Sequence, residues 1–193
     1  RSNQNQIPSR SHPINHPAAD APFCPTCEQL DVAFFNPECP GCKDNLSNLS
    51  ISISQIFAII RQWVPQTQQC IELLAKEILR RGAHVDDRDH LTDMTLLHYT
   101  CKAGSSGVGD VGSALKTVQL LVESYGADVS LRCKWTDMTA VHYAVYFDVG
   151  PVLEYLLKIT KNAFIDDVCR DFDGGTPLHI AAANLCLQST RIL

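Results

Sequence analysis

Leu91-Thr92-Asp93-Met94-Thr95-Leu96-Leu97-His98-Tyr99 and Trp135-Thr136-Asp137-Met138-Thr139-Ala140-Val141-His142-Tyr143 are two versions of one nonapeptide. A third, shorter version is Thr176-Pro177-Leu178-His179. Both methionines of the chain fall inside the long versions. A second landmark keeps phase with the first: Gly82-Ala83-His84-Val85 and Gly126-Ala127-Asp128-Val129 each begin 13 residues before the next Thr. Two landmarks in fixed phase mark a repeated supersecondary unit. Such a unit cannot bury its own apolar face and must stack on its neighbours. The local chemistry is helical. Thr95, Thr139 and Thr176 suit the N-cap, where a hydroxyl accepts from the exposed N–H groups of the first turn. Pro177 suits the first helical position. Gly82, after Arg80-Arg81, closes a helix with cations on its negative end.

Thr176-Pro177-Leu178-His179-Ile180-Ala181 resembles the opening of the ankyrin repeat, a hairpin-like turn followed by two antiparallel helices. The resemblance implies an all-α ankyrin-repeat solenoid, with helices near 54–64, 67–81, 95–103, 115–124, 139–147, 151–160 and 176–184. It also implies that His98, His142 and His179 are structural, each bonding backbone of the neighbouring turn rather than serving as ligand or base. Protein recognition then belongs to the fingertips and the concave helical face. Arg88 and Asp89 occupy the first tip, Lys134 and Trp135 the second, and Asp171 and Phe172 the third. Tyr146 and Phe147 end a first helix and face the groove. Aromatic residues with Arg are the usual hot-spot types. For Trp135 and Phe172 the alternative is that they fold back over the neighbouring tip. His98 and His142 lie 44 residues apart, and His142 and His179 lie 37 apart, against about 33 for the standard unit. The excess maps to Gly104–Ser113, rich in Gly and Ser, and to Lys158–Asp167. Both are read as solvent loops, with partner binding as the alternative. The chain ends inside the second helix of its last unit and starts with Arg1, so a fragment of a longer protein is expected.

Ahead of the repeats, residues 1–22 are rich in Pro, Ser and Asn and are expected to be a disordered tail. Residues 49–81 read as a degenerate helix pair that caps the stack, with Ile56, Phe57, Ile59, Ile60, Trp63 and Val64 as one apolar stripe stopped before Pro65. Trp63 is read as core. Repeats proper occupy 82–193. A net charge of −5 argues against a nucleic-acid surface. The longest apolar run, Ile56–Ile60, is far short of a membrane span, and the polar N-terminus carries no signal peptide. No phosphate loop, no His-Glu-x-x-His and no nucleophile motif occurs, so an enzyme is not expected.

The chain has nine cysteines. Cys70, Cys101, Cys133, Cys169 and Cys186 stand singly in or beside repeat elements and read as thiols of a reducing compartment, the cytoplasm. In residues 23–48, Cys24-Pro25-Thr26-Cys27 and Cys39-Pro40-Gly41-Cys42 are paired Cys-x-x-Cys motifs. Two such pairs can place four thiolates around one structural Zn²⁺ and leave no open position for catalysis. Unligated thiols are the other reading, and both stay open. A zinc-dependent adaptor, with this knuckle as recognition element, is the alternative function.

From Phe34 onward the chain resembles the N-terminal ankyrin region of the CAP-Gly domain-containing linker proteins, the group of linker proteins 3 and 4. The residues that carry this are Phe34-Phe35-Asn36-Pro37, Ile56-Phe57-Ala58-Ile59-Ile60-Arg61-Gln62-Trp63-Val64-Pro65-Gln66, Asp87-Arg88-Asp89, Leu91–Lys102, Tyr146-Phe147-Asp148-Val149 and Leu178-His179-Ile180-Ala181-Ala182. The resemblance implies a protein-binding scaffold in a microtubule-associated protein. Microtubules and plus-end proteins would be engaged through CAP-Gly domains, whose Gly-Lys-Asn-Asp-Gly signature is absent here. Of the four paired cysteines only Cys42 matches a cysteine of that family, so the zinc expectation rests on spacing alone.

Overall fold

The computed structural model describes residues 35–47 and 51–193. The expected tail 1–22, Cys24 and Cys27 lie outside them. Helix α1 spans Pro40–Ser47, an element the sequence reading did not anticipate. The capping pair is α2, Ile53–Arg61, and α4, Ile71–Arg80, with the short turn α3, Pro65–Gln68, between them. The repeats follow as α5 Leu96–Ala103, α6 Val111–Gln119, α7 Ala140–Tyr146, α8 Gly150–Ile159, α9 Pro177–Ala183 and α10 Leu187–Ile192. A wider turn, Leu120–Ser124, prolongs α6. Helices α5, α7 and α9 pack in one row, and α4, α6, α8 and α10 in a second. The core runs between the rows, through Ile60, Leu74, Leu97, Leu121, Val141 and Leu153. Among the described residues no strand forms; the fingertip turns carry only the isolated bridges Arg88–Thr95 and Cys169–Gly175. This is the expected all-α ankyrin solenoid.

Some boundaries differ from the expectation for local reasons. Helix α2 stops at Arg61 rather than near 64, because the residue before Pro65 is forced to extended backbone: Val64 has φ −131° and ψ 152°. The freed helix end is covered by Gln68, whose Nε2 donates to Ile60 O at 2.9 Å and Gln62 O at 2.8 Å. The last three residues of the Gly104–Ser113 stretch are helix, not loop. Asp110 caps α6 by accepting from Ser113 N at 2.6 Å, so the helix begins at Val111. Gly82 and Gly126 take φ of 90° and 71°, the left-handed stop after α4 and after the Leu120–Ser124 turn.

One side-chain device sets the phase of the stack. Thr95 N donates to His98 Nδ1 at 3.1 Å, and Thr139 N to His142 Nδ1 at 3.2 Å. Each imidazole therefore presents Nε2–H outward. His98 Nε2 donates to Leu131 O and His142 Nε2 to Asp167 O, both at 2.9 Å. These carbonyls belong to the approach to the next fingertip, so each helix start is tied to the following unit, as expected of these histidines. His179 repeats the inner half, with Thr176 N donating to Nδ1 at 3.1 Å, and it is exposed.

Burial disfavours charge on both inner imidazoles. It pulls the His98 pKa down to about 4, and it lowers that of His142 in the same direction. The unfolded chain titrates near 6.5, so between about pH 6.5 and 4 it binds more protons than the fold does. Stability is expected to fall as pH drops through that window, on the order of 3 kcal/mol for His98 alone. Urea midpoints measured from pH 7 to 4.5 test this. His98→Gln is expected to flatten the slope, and parallel slopes for the two proteins would contradict the assignment.

Candidate protein-binding surface

The first two fingertips are built alike. Asp93 and Asp137 turn the chain at φ 61° and 58°, the left-handed region that aspartate tolerates better than most side chains. Each carboxylate then reaches forward: Asp93 Oδ2 accepts from Lys134 N at 2.6 Å, and Asp137 Oδ2 from Arg170 N at 3.0 Å. Arg88 Nη1 binds Asp93 Oδ2 at 2.7 Å and the next tip's Arg132 O at 2.9 Å. Arg132 repeats the device, bonding Asp137 O at 2.8 Å and Val168 O at 3.0 Å. The tips are thus a hydrogen-bonded rail, each link worth about 1 kcal/mol.

Two residues of the expected recognition set are already engaged within the stack. Arg88 is half-buried and engaged between tips. Asp89, expected at the exposed first tip, is only 4 % exposed. Its carboxylate accepts from Arg61 Nη1 at 2.7 Å, Tyr99 Oη at 2.6 Å, Leu91 N and Thr92 Oγ1. Burial works against its charge, but the hydrogen bonds from Tyr99, Arg61 and Leu91 outweigh it and hold the carboxyl below its usual range. Asp89 therefore locks the capping pair onto the first unit. At the equivalent place the next tips carry Cys133 and Cys169, buried, with Sγ donating to Thr92 O and Thr136 O of the preceding unit.

The remaining expected residues fall into two groups. At the second tip Trp135 is 62 % exposed, beneath Lys134 Nζ at 5.3 Å from its ring centre. Among the described residues no other ring packs on it, so it does not fold over its neighbour. Asp171 is exposed at the third tip. Phe172 does fold back, half-buried, against Tyr146 with ring centres 5.9 Å apart. Tyr146 in turn meets Phe147 at 5.0 Å, and Phe147 meets Trp63 at 5.2 Å.

The result is a row of four rings, Trp63, Phe147, Tyr146 and Phe172, crossing the capping pair and the second and third units. Trp63 and Tyr146 are 36 % and 41 % exposed. Trp63 was expected in the core; the early end of α2 leaves it outside, against its neighbours' ends. Lys102 stands in the middle of the row. Its Nζ lies 4.4 Å from the Trp63 ring centre and 5.6 Å from those of Tyr99 and Phe147. Lys102 was missed at the sequence level, although it sits four residues after His98 just as Tyr146 sits four after His142.

Cys39 and Cys42, two of the four expected zinc ligands, lie at the start of α1 and are buried in the apolar core with Phe35 and Leu46. Their expected partners Cys24 and Cys27 fall outside the described residues.

Asp89→Ala leaves Arg61 without its carboxylate and takes one of two partners from the Tyr99 hydroxyl, and is expected to cost about 3–5 kcal/mol of stability. Trp135→Ala is expected to stay within about 0.5 kcal/mol. Denaturant melts of the two variants check both figures. A Trp135→Ala loss of several kcal/mol would make that ring structural.

A model of the family described as ankyrin repeats (three copies) matches residues 108–193. The chain is 50 % identical over 188 residues to CAP-Gly domain-containing linker protein 3 of Xenopus laevis, covering 97 % of this chain and 34 % of that protein. It is 49 % identical over 184 residues to the linker protein 3 of Mus musculus, and 48 % identical to that of Homo sapiens, in each case over 95 % of this chain and 33 % of the relative. The chain spans about a third of the length of these relatives. Phased Thr-x-x-His caps, two rows of helices and this match agree: residues 108–193 are ankyrin repeats, and over nearly all its length the chain is similar to about a third of CAP-Gly domain-containing linker protein 3.

Proposed function

We propose that this chain is the partner-recognition arm of a microtubule-associated CAP-Gly linker protein. In this reading the ankyrin units hold another protein at the cytoskeleton, in the cytoplasm, while CAP-Gly domains of the longer protein engage microtubules or plus-end proteins. The observation that carries the recognition role is the row Trp63–Phe147–Tyr146–Phe172. Large rings held half-exposed by neighbouring elements are low-entropy contacts of the kind that dominate protein interfaces. Lys134 and Trp135 at the second tip form a second, smaller contact.

The chemistry of the thiols and imidazoles supports a scaffold rather than an enzyme. His98 and His142 have both ring nitrogens bonded to backbone. Burial pushes the Cys70 thiol up to about 12 and that of Cys101 further in the same direction, far from a reactive thiolate. Among the described residues no helix is long and apolar enough to cross a membrane.

The alternative, a zinc-dependent adaptor, has no observation in its favour. The zinc set Cys24, Cys27, Cys39 and Cys42 is kept as a proposal from spacing: elemental analysis of the purified chain is expected to return about one zinc, and a metal-free protein with intact thiols would remove it.

Each exposed ring of the row is expected to contribute on the order of 2 kcal/mol to partner binding. Capture of partners from a cell lysate should therefore be lost when Trp63 and Tyr146 are both changed to Ala in a chain that still melts cooperatively. An unchanged partner set from that variant would contradict the assigned surface.

A further inference from the structure

Lys102 differs from the other charged residues around the repeats. Arg61 is satisfied by Asp89 at 2.7 Å, Arg88 by Asp93 at 2.7 Å, Arg132 by Asp167 at 2.5 Å, and Arg81 by Glu77 at 2.7 Å. Lys102 has no carboxylate within ion-pair reach among the described residues and no hydrogen-bond acceptor for its ammonium. It is half-buried all the same. What it has are ring faces, which attract a cation through their quadrupole but accept no directed hydrogen bond from it. Rings offer its N–H donors no acceptor, and Nζ is not among the buried side-chain atoms left without a partner, so the donors face solvent. Burial nevertheless pulls its pKa down.

An ammonium held in place by aromatic faces, with its donors left to solvent, is a preorganised site for an anion. The anion is selected by what is missing as well as by what is present. Phosphate is favoured by guanidinium forks or several cations together; here there is one lysine, and Arg61 is already occupied by Asp89. A single carboxylate matches the single charge. The rings beside it would cover an apolar neighbour of that carboxylate and exclude water, which strengthens the ion pair. The net charge of −5 disfavours acidic partners at long range, but salt screens that beyond about 8–10 Å. Selection at Lys102 is therefore local.

We propose that the row of rings binds a partner segment carrying a side-chain carboxylate, Glu or Asp, seated on the Lys102 ammonium, with an adjacent apolar side chain on Trp63, Phe147 and Tyr146. This rests on the recognition surface assigned above.

The test uses the whole chain, immobilised, and two pools of fluorescent decapeptides, acetylated and amidated at their ends. One pool has Glu fixed at the centre and degenerate flanks; the other has Gln there. Wild-type chain is expected to retain the Glu pool about ten-fold more than the Gln pool. Lys102→Met and Lys102→Gln, each checked for an unchanged melt, are expected to abolish the difference. Sequencing of the retained Glu pool is expected to show apolar residues beside the Glu. Equal retention of both pools, retention of neither, or a Glu preference that survives in either folded Lys102 variant overturns the proposal. Lysate capture separates the two levels. Partners lost on changing Trp63 and Tyr146 but kept by Lys102→Met uphold the surface and overturn the carboxylate. Partners kept by both variants overturn the surface itself.

Discussion

A neutral imidazole with both nitrogens in use is the constraint on which the stack depends. At His98 and His142, Nδ1 accepts from the Thr that opens the same helix, and Nε2 donates to a carbonyl of the next unit. One side chain thus caps a helix and fixes its distance to the neighbour. The cap replaces the usual Glu or Gln of a capping box. Glu could accept at the helix start, but as an acceptor it could not also donate forward.

The fingertip rail is the second tie, and it is redundant with the first in direction. Asp93 and Asp137 point forward to backbone N–H groups, while Arg88 and Arg132 point forward to carbonyls. With helix starts and tips both bonded forward, extra residues are tolerated where neither bond runs. The loop 104–110 and the turns at 160–166 absorb them. Helix ends then fall in line, so Lys102 and Tyr146, at the same place in successive units, become neighbours of one surface.

Much of this was readable from residues. The Thr-x-x-His phase located the helix starts, and Gly82 and Gly126 located the stops. The site was half legible. Tyr146, Phe147 and Phe172 were foreseen and do come together. Asp89 was misplaced, because a charged residue in a tip looks solvent-facing; its partner Arg61 comes from 28 residues earlier, a pairing that repeat phasing does not reveal. The buried Cys133 and Cys169 at the equivalent position were the available hint. Trp63 was misread because its apolar stripe runs on to Val64, whereas Pro65 ends the helix at Arg61. Lys102 needed three dimensions, since its rings come from the capping pair, its own helix and the next unit.

The proposed recognition role relies on a rigid frame, which presents half-exposed rings without their collapsing into the core. The frame's central claim is the tautomer of two histidines. Long-range proton–nitrogen NMR of imidazole-labelled protein at neutral pH reads it directly. The account expects His98 and His142 both as Nε2–H, with Nδ1 unprotonated. An Nδ1–H tautomer, or a protonated ring, at either position would contradict it.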